Sequence, residues 1–165
     1  MRAISRRLQV LVTATAVTAA SLSLAVATGS SAQAAVAACN TTSLRYTGNY
    51  EYVRVPARSG SGVSCNLKLG TGSTSAVKAL QDTIVTCYSS SAAARLIQNS
   101  GGIDGSYGAG TVKAVKSLQK YQLHFTGSNV DGVFGPKTRS AMMWQVRGDK
   151  GAPFYPWMCK NPTQV

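Results

Sequence analysis

The chain builds one short turn twice. Val130-Asp131-Gly132-Val133-Phe134-Gly135-Pro136 is an apolar residue, an Asp-Gly turn, an aromatic residue and Gly-Pro. Ile103-Asp104-Gly105-Ser106-Tyr107-Gly108 has the same form 27 positions earlier, and the match runs on, with Thr111 on Thr138 and Ala114 on Ala141. An Asp side chain accepts hydrogen bonds from backbone N–H groups just downstream, and Gly tolerates the positive φ of a tight turn. Pro136 suits the first position of a helix, where its missing N–H would have no partner. Each copy therefore reads as a compact turn that inserts an aromatic plug into a core and launches a helix. Asp104, Gly105, Gly108, Asp131, Gly132 and Gly135 are assigned to that architecture. A second repeat supports the layout: Ala76-Val77-Lys78-Ala79-Leu80-Gln81 matches Ala114-Val115-Lys116-Ser117-Leu118-Gln119.

The first 34 residues are set aside. A basic start (Arg2, Arg6, Arg7), an apolar centre from Leu8 to about Ala27 and Ala32-Gln33-Ala34 read as a secretory leader cut after Ala34, with Ala35-Val36-Ala37 as a second cut site. A membrane anchor is the competing reading, disfavoured by the many Thr, Ser and Ala residues. Ser5-Arg6-Arg7 hints at twin-arginine export, but Gln9 stands where that signal wants a large apolar residue, so the general route is favoured. The remaining 131 of the 165 residues suffice for one domain with a modest core. They hold fourteen basic and five acidic side chains, a charge of +9 that favours anionic partners. Outside the cell nucleic acid is the least available of these.

Cys39, Cys65, Cys87 and Cys159 all follow the leader, and an even count in an exported chain implies two disulfides. Zinc is the alternative, but the spacings are wide and the single histidine, His124, is near none of them. Of the three connectivities, Cys39–Cys65 with Cys87–Cys159 is expected because each pair brackets one segment; sequence alone leaves the others open.

Residues 35–66 read as a β-rich extension, with Leu44-Arg45-Tyr46 pairing Asn49–Pro56 across Thr47-Gly48-Asn49. Tyr46, Tyr50 and Tyr52 cover this sheet or, alternatively, form a sugar-binding face. Helical spacing runs through Ala76–Tyr88, Thr111–Tyr121 and Pro136–Val146, with Ala92–Gln98 as another short helical piece. The third helix is expected to turn Ala141, Met142 and either Met143 or Trp144 inward. Lys113, Lys116 and Lys120 form a basic stripe whose ordinary role is a solvated face. The aromatic tail, residues 147–165, should fold back and be pinned at Cys159.

Catalytic sets are sparse. A Ser–His–Asp or Cys–His arrangement would have to use His124, which follows a helix in a loop. Glycoside hydrolysis needs two carboxylates across a cleft. The acids are Glu51, Asp82, Asp104, Asp131 and Asp149, and the tempting pair, Asp104 with Asp131, is accounted for by the turns. Each Asp-Gly stands alone, which argues against a calcium loop. No catalytic residue, metal or cofactor is assigned.

The ordered set of Ala76–Gln81, Ile103–Gly108, Ala114–Gln119 and Val130–Thr138 closely resembles the peptidoglycan-binding domain type 1 family, over about residues 67–146. The resemblance implies a mainly α fold: a three-helix module with two D-G-x-aromatic-G turns, here joined to a small disulfide-tied N-terminal β segment. Ala109 stands where the second motif has Pro136, and the stretch between Tyr88 and Ile103 is long for the family. The Ala/Thr-rich leader resembles those of actinobacteria such as Streptomyces. The implied protein is secreted, cell-wall associated, monomeric and non-catalytic. Its expected partner is peptidoglycan (stem peptide and glycan), with anionic wall polymers as further partners and neither nucleic acid nor membrane after leader removal. The family usually anchors a hydrolase, and residues 39–66 are too few for one. A shallow groove beside the turns would take the ligand, with Ser106, Tyr107, Thr111, Val133, Lys137 and Arg139 as candidates; Tyr107 and Phe134 have the stronger expectation of being core plugs. The rivals are a small wall hydrolase with an unfamiliar site and a secreted cationic antimicrobial or interaction protein.

Overall fold

The computed structural model describes residues 36–48, 51–148 and 158–161. The leader and the aromatic stretch Phe154–Trp157 of the tail lie outside the described residues.

Two layers pack on each other. One is an antiparallel sheet of β1 (Thr41–Gly48), β2 (Glu51–Ala57), β3 (Trp144–Gly148) and β4 (Cys159–Lys160), in that order. The other holds α1 (Thr74–Cys87), α2 (Ala92–Gln98), α3 (Ala109–Ser117) and α4 (Pro136–Ala141). Ser73 and Ser91 cap α1 and α2, their hydroxyls accepting from the N–H of Ala76 and Ala94. A π-helical turn, Leu118–Gln122, carries α3 onward, closed by the Leu123 N–H on the Leu118 carbonyl at 3.0 Å.

Val53 and Val55 on β2 and Trp144 and Val146 on β3 are buried in one cluster with Val77, Leu80 and Ile84 of α1 and Val115 of α3. Tyr107 and Phe134, the two aromatic plugs, sit in the same core, Phe134 edge-on to Trp144 at 5.9 Å.

Two sequence expectations change. The described residues hold four α-helices where three were expected, because Ala92–Gln98 is a capped helix in its own right. The last helix stops at Ala141 instead of Val146, with Met142 already extended. From Met142 the burial alternates: Met142, Trp144 and Val146 are buried, Met143 and Gln145 are not. That is a strand period, and hydrogen bonding to β2 (Val53 opposite Val146) decides in its favour. The chain end thus enters the sheet begun by the N-terminal extension.

Both expected disulfides are present, Cys39–Cys65 and Cys87–Cys159. The second ties β4 to the end of α1. The first is fully buried and lies under Arg139, whose guanidinium sits 3.6 and 3.8 Å from the two sulfurs. Arg139 also donates to the carbonyls of Val63 and Cys65 and lies 4.9 Å over the Phe134 ring. Burial lowers its pKa to about 10, so it stays charged at neutral pH.

These placements rank the two bridges. Chain entropy alone favours Cys87–Cys159, whose 72-residue separation against 26 is worth about 0.9 kcal/mol more. Replacing buried Cys39 and Cys65 with serines leaves two buried O–H donors facing a guanidinium that offers no acceptor, at about 1–3 kcal/mol for each unpaired group. Urea denaturation should show Cys39→Ser/Cys65→Ser to be the more destabilised double variant, against the loop-length order.

Candidate functional site

The two Asp-Gly turns are held by two buried glutamines in the same way. Gln81 of α1 and Gln119 of the π turn are each 1 % exposed. Gln81 Nε2 lies 2.8 Å from Asp104 Oδ1, 3.2 Å from the Ser106 carbonyl and 3.1 Å from Thr111 Oγ1, while its Oε1 accepts from the Gly105 N–H at 2.8 Å. Gln119 repeats this with Asp131 Oδ1 at 2.9 Å, the Val133 carbonyl at 3.0 Å, Thr138 Oγ1 at 3.2 Å and the Gly132 N–H at 2.9 Å. Each Asp Oδ1 also accepts from the N–H two residues on, Ser106 or Val133. Each Thr hydroxyl donates back to the same carbonyl that its Gln reaches. The two repeats noted in the sequence are thus halves of one unit, a helix glutamine and the turn it clamps.

Gly105 and Gly132 have φ of +80° and +76°, and a Cβ there would fall within 3.0 Å of the Thr74 and Val112 carbonyls respectively. Both features demand glycine. Gly108 and Gly135 have ordinary negative φ and serve as the residues before α3 and α4; no positive φ is needed at either.

The turns are also joined. Tyr107 donates its hydroxyl hydrogen to the Gly132 carbonyl at 2.8 Å, and burial holds that phenol well above its ordinary pKa. Leu67 and Phe134 exchange two backbone hydrogen bonds, and the Gly70 N–H reaches the Tyr107 carbonyl.

This geometry sorts the six candidate ligand residues. Tyr107, Thr111 and Arg139 are no more than 5 % exposed and are spent on the interior. Assigning them to a ligand needs correction: a plug, a clamp hydroxyl and a cation seated on a disulfide face inward. Ser106 and Lys137 are exposed and Val133 is half-buried. Lys137 donates to Asn129 Oδ1 at 2.8 Å and stands 5.1 Å over the Phe125 ring. His124 is exposed, with φ of +54°.

Two open grooves flank the turns. One, of about 570 Å³, lies beside the second turn, between Val130 and the π-turn residues Lys120 and Tyr121, with His124 and Phe125 beyond them. The Tyr121 ring is 59 % exposed, with the Lys120 ammonium 5.0 Å from its centre. The other, of about 480 Å³, lies beside the first turn, where Ile103 meets α1 and the sheet. Among the described residues no three His, Cys, Asp or Glu side chains group as a metal site, and no helix is long and apolar enough to cross a membrane.

Residues 73–142 match the family model described as a putative peptidoglycan binding domain. The matched stretch runs from the cap of α1 to the residue after α4, and so contains both clamped turns. It supports peptidoglycan as the partner in general and association with the cell wall. No curated protein and no solved structure gives a match.

Sequence reasoning passed over Gln81 and Gln119 as functional parts of the turns. The signal was present in their alignment with one another, at the same place in two matched helices.

Two measurements follow from the clamps. Gln119→Ala strips partners from the Gly132 N–H and the Asp131 carboxylate, and should cost about 3 kcal/mol in urea denaturation. Combined with Thr138→Ala it should cost clearly less than the sum, since both groups serve one network. Hydrogen bonds from the Ser106 N–H and Gln81 hold the Asp104 carboxyl below the usual range. A depressed folded-state pKa adds stability above the unfolded value near 3.9, and that stability is lost as pH falls through the folded pKa. The advantage of wild type over Asp104→Asn should therefore shrink between about pH 5 and pH 2.

Proposed function

We propose that the protein is exported and binds peptidoglycan without cleaving it, through the surface beside the second turn. The observation that carries the reading is the family match over 73–142, whose ends coincide with the helical layer. The turns supply its frame. The exposed Tyr121 ring offers a face on which a sugar can stack, and Lys120 and Lys137 supply cations for stem-peptide carboxylates. Ser106 and Val133 are the surface residues of the turns themselves. Anionic wall polymers add a screened, less specific attraction to the strongly basic chain.

A non-catalytic role is supported by how the acids are used. Asp104 and Asp131 each accept two hydrogen bonds inside a clamp. Asp82 and Glu51 are paired with Arg147 and Lys160. These four carboxylates are committed to structure, and a lytic pair would have to release one. The buried disulfide, typical of oxidising surroundings, supports export.

Pelleting with purified sacculi tests the reading. Retention should persist at moderate salt and exceed retention on a plain anionic resin. Tyr121→Ala, at an exposed position, should weaken it about fivefold to tenfold while leaving the unfolding midpoint unchanged. Retention that vanishes at moderate salt, or matches the resin, would leave only a charge effect.

A further inference from the structure

The two grooves are related by the internal repeat but differ in what lines them. Lys78 and Asp82 beside the first turn occupy the positions of Lys116 and Lys120 beside the second, and Ile103 that of Val130. The second groove has aromatic rings. The first has none among the described residues that line it; arginines from the sheet take their place.

We propose that the groove beside the first turn is the subsite for a carboxylate-terminated peptide with small apolar side chains, held by Arg54, Lys78 and Arg147 over Ile103 and Ala79. The proposal rests on the peptidoglycan reading and says which moiety this second groove takes.

Three walls make the groove. Ser75, Lys78, Ala79 and Asp82 recur at i, i+3, i+4 and i+7 and so present one face of α1. Ile103, 40 % exposed, immediately precedes the clamped Asp104 and is fixed by that clamp. Arg54 and Arg147 come from adjacent strands. Arg147 stands opposite Tyr52, two residues from Arg54, so both arginines leave the same face of the sheet. Neither belongs to residues 73–142. The site is therefore composite, half on the module and half on the sheet that the chain ends build.

Its charge is unbalanced. Asp82 is the single acid among the described residues that line the groove, and Arg147 already occupies it at 2.8 Å. Among the described residues neither Arg54 nor Lys78 forms a salt bridge, and both are exposed; Lys78 is near enough to the Asp104 carboxylate to help hold its pKa down. The Lys78 stem packs over Gly105, with Lys78 among the residues that line the groove. Two cations without a salt bridge among the described residues, beside a bridged third, can share one carboxylate, Arg54 through its planar fork and Lys78 as a point charge. The floor between them is an isoleucine and an alanine, a surface that accepts methyl groups and offers nothing to stack a sugar ring. A volume of about 480 Å³ suits two or three small residues.

The test uses the whole mature protein and N-acetyl-alanyl-alanine, in all-L and all-D series, as the free acid and as its C-terminal amide. Amide shifts in an NMR titration should move at α1 and Ile103 with the acid of at least one series, and the amide should bind about fivefold more weakly or worse. Arg54→Ala, an exposed residue without a hydrogen bond among those described, should abolish the preference for the acid. Tyr121→Ala should keep it. The acid should also displace protein from sacculi more effectively than the same concentration of inorganic phosphate. Equal binding of acid and amide, an unaltered preference in Arg54→Ala, or equal displacement by phosphate would each overturn the subsite. If sacculi still retain the protein in those cases, the subsite alone has failed. If sacculi retain nothing, the peptidoglycan reading fails with it.

Discussion

Two buried glutamine side chains hold this structure together. A primary amide carries two donors and an acceptor in one plane, which lets Gln81 and Gln119 each grip an Asp carboxylate, a main-chain carbonyl and a glycine N–H at once. Burying such a group without partners would be costly, and here every arm is used. The clamp fixes the turn, the turn points Tyr107 or Phe134 into the core, and the next helix starts from a set position. With Tyr107 bonded to the Gly132 carbonyl, the two clamped units also fix one another.

The sheet depends on that frame. Leu67 pairs with Phe134, and Trp144 packs edge-on against it. The second turn therefore meets both the arriving and the departing chain. The strands that precede and follow the helices in the chain, β2 and β3, lie next to each other in the sheet. Arg139 completes the joint, its cation over Phe134 and its guanidinium on the Cys39–Cys65 bridge. A buried cation is tolerated there because two carbonyls and a ring face substitute for water.

Rigidity at the turns leaves the chemistry to what borders them. The polar groups inside the clamps have their partners, so the proposed recognition surfaces are built from side chains around the clamps: Tyr121, Lys120 and Lys137 on one side, Arg54, Lys78 and Arg147 on the other. The two grooves share the plan of the repeat and differ in which neighbour supplies the wall, a π-helical turn in one and a sheet in the other.

Much was legible in the sequence because it depends on local chemistry. The Asp-Gly turns, the aromatic plugs and the helical periods of α1 and α3 follow from residue type and spacing within a dozen or so positions, and the cysteine pairing from which segments the four residues bracket. Tertiary structure decided what depends on distant partners. The segment Met142–Arg147 can be read with a helical or a strand period, and β2, some ninety residues earlier, supplied the hydrogen bonds that chose the strand. Arg139, a ligand candidate by its place beside a turn, is drawn inside because its guanidinium seats on the 39–65 bridge. Gln81 and Gln119 were visible as repeated letters, but the carboxylates they grip lie 23 and 12 positions away, unequal separations that no single sequence period connects. Spacing reports what a residue can do along its own element; only folding sets what it meets across the core.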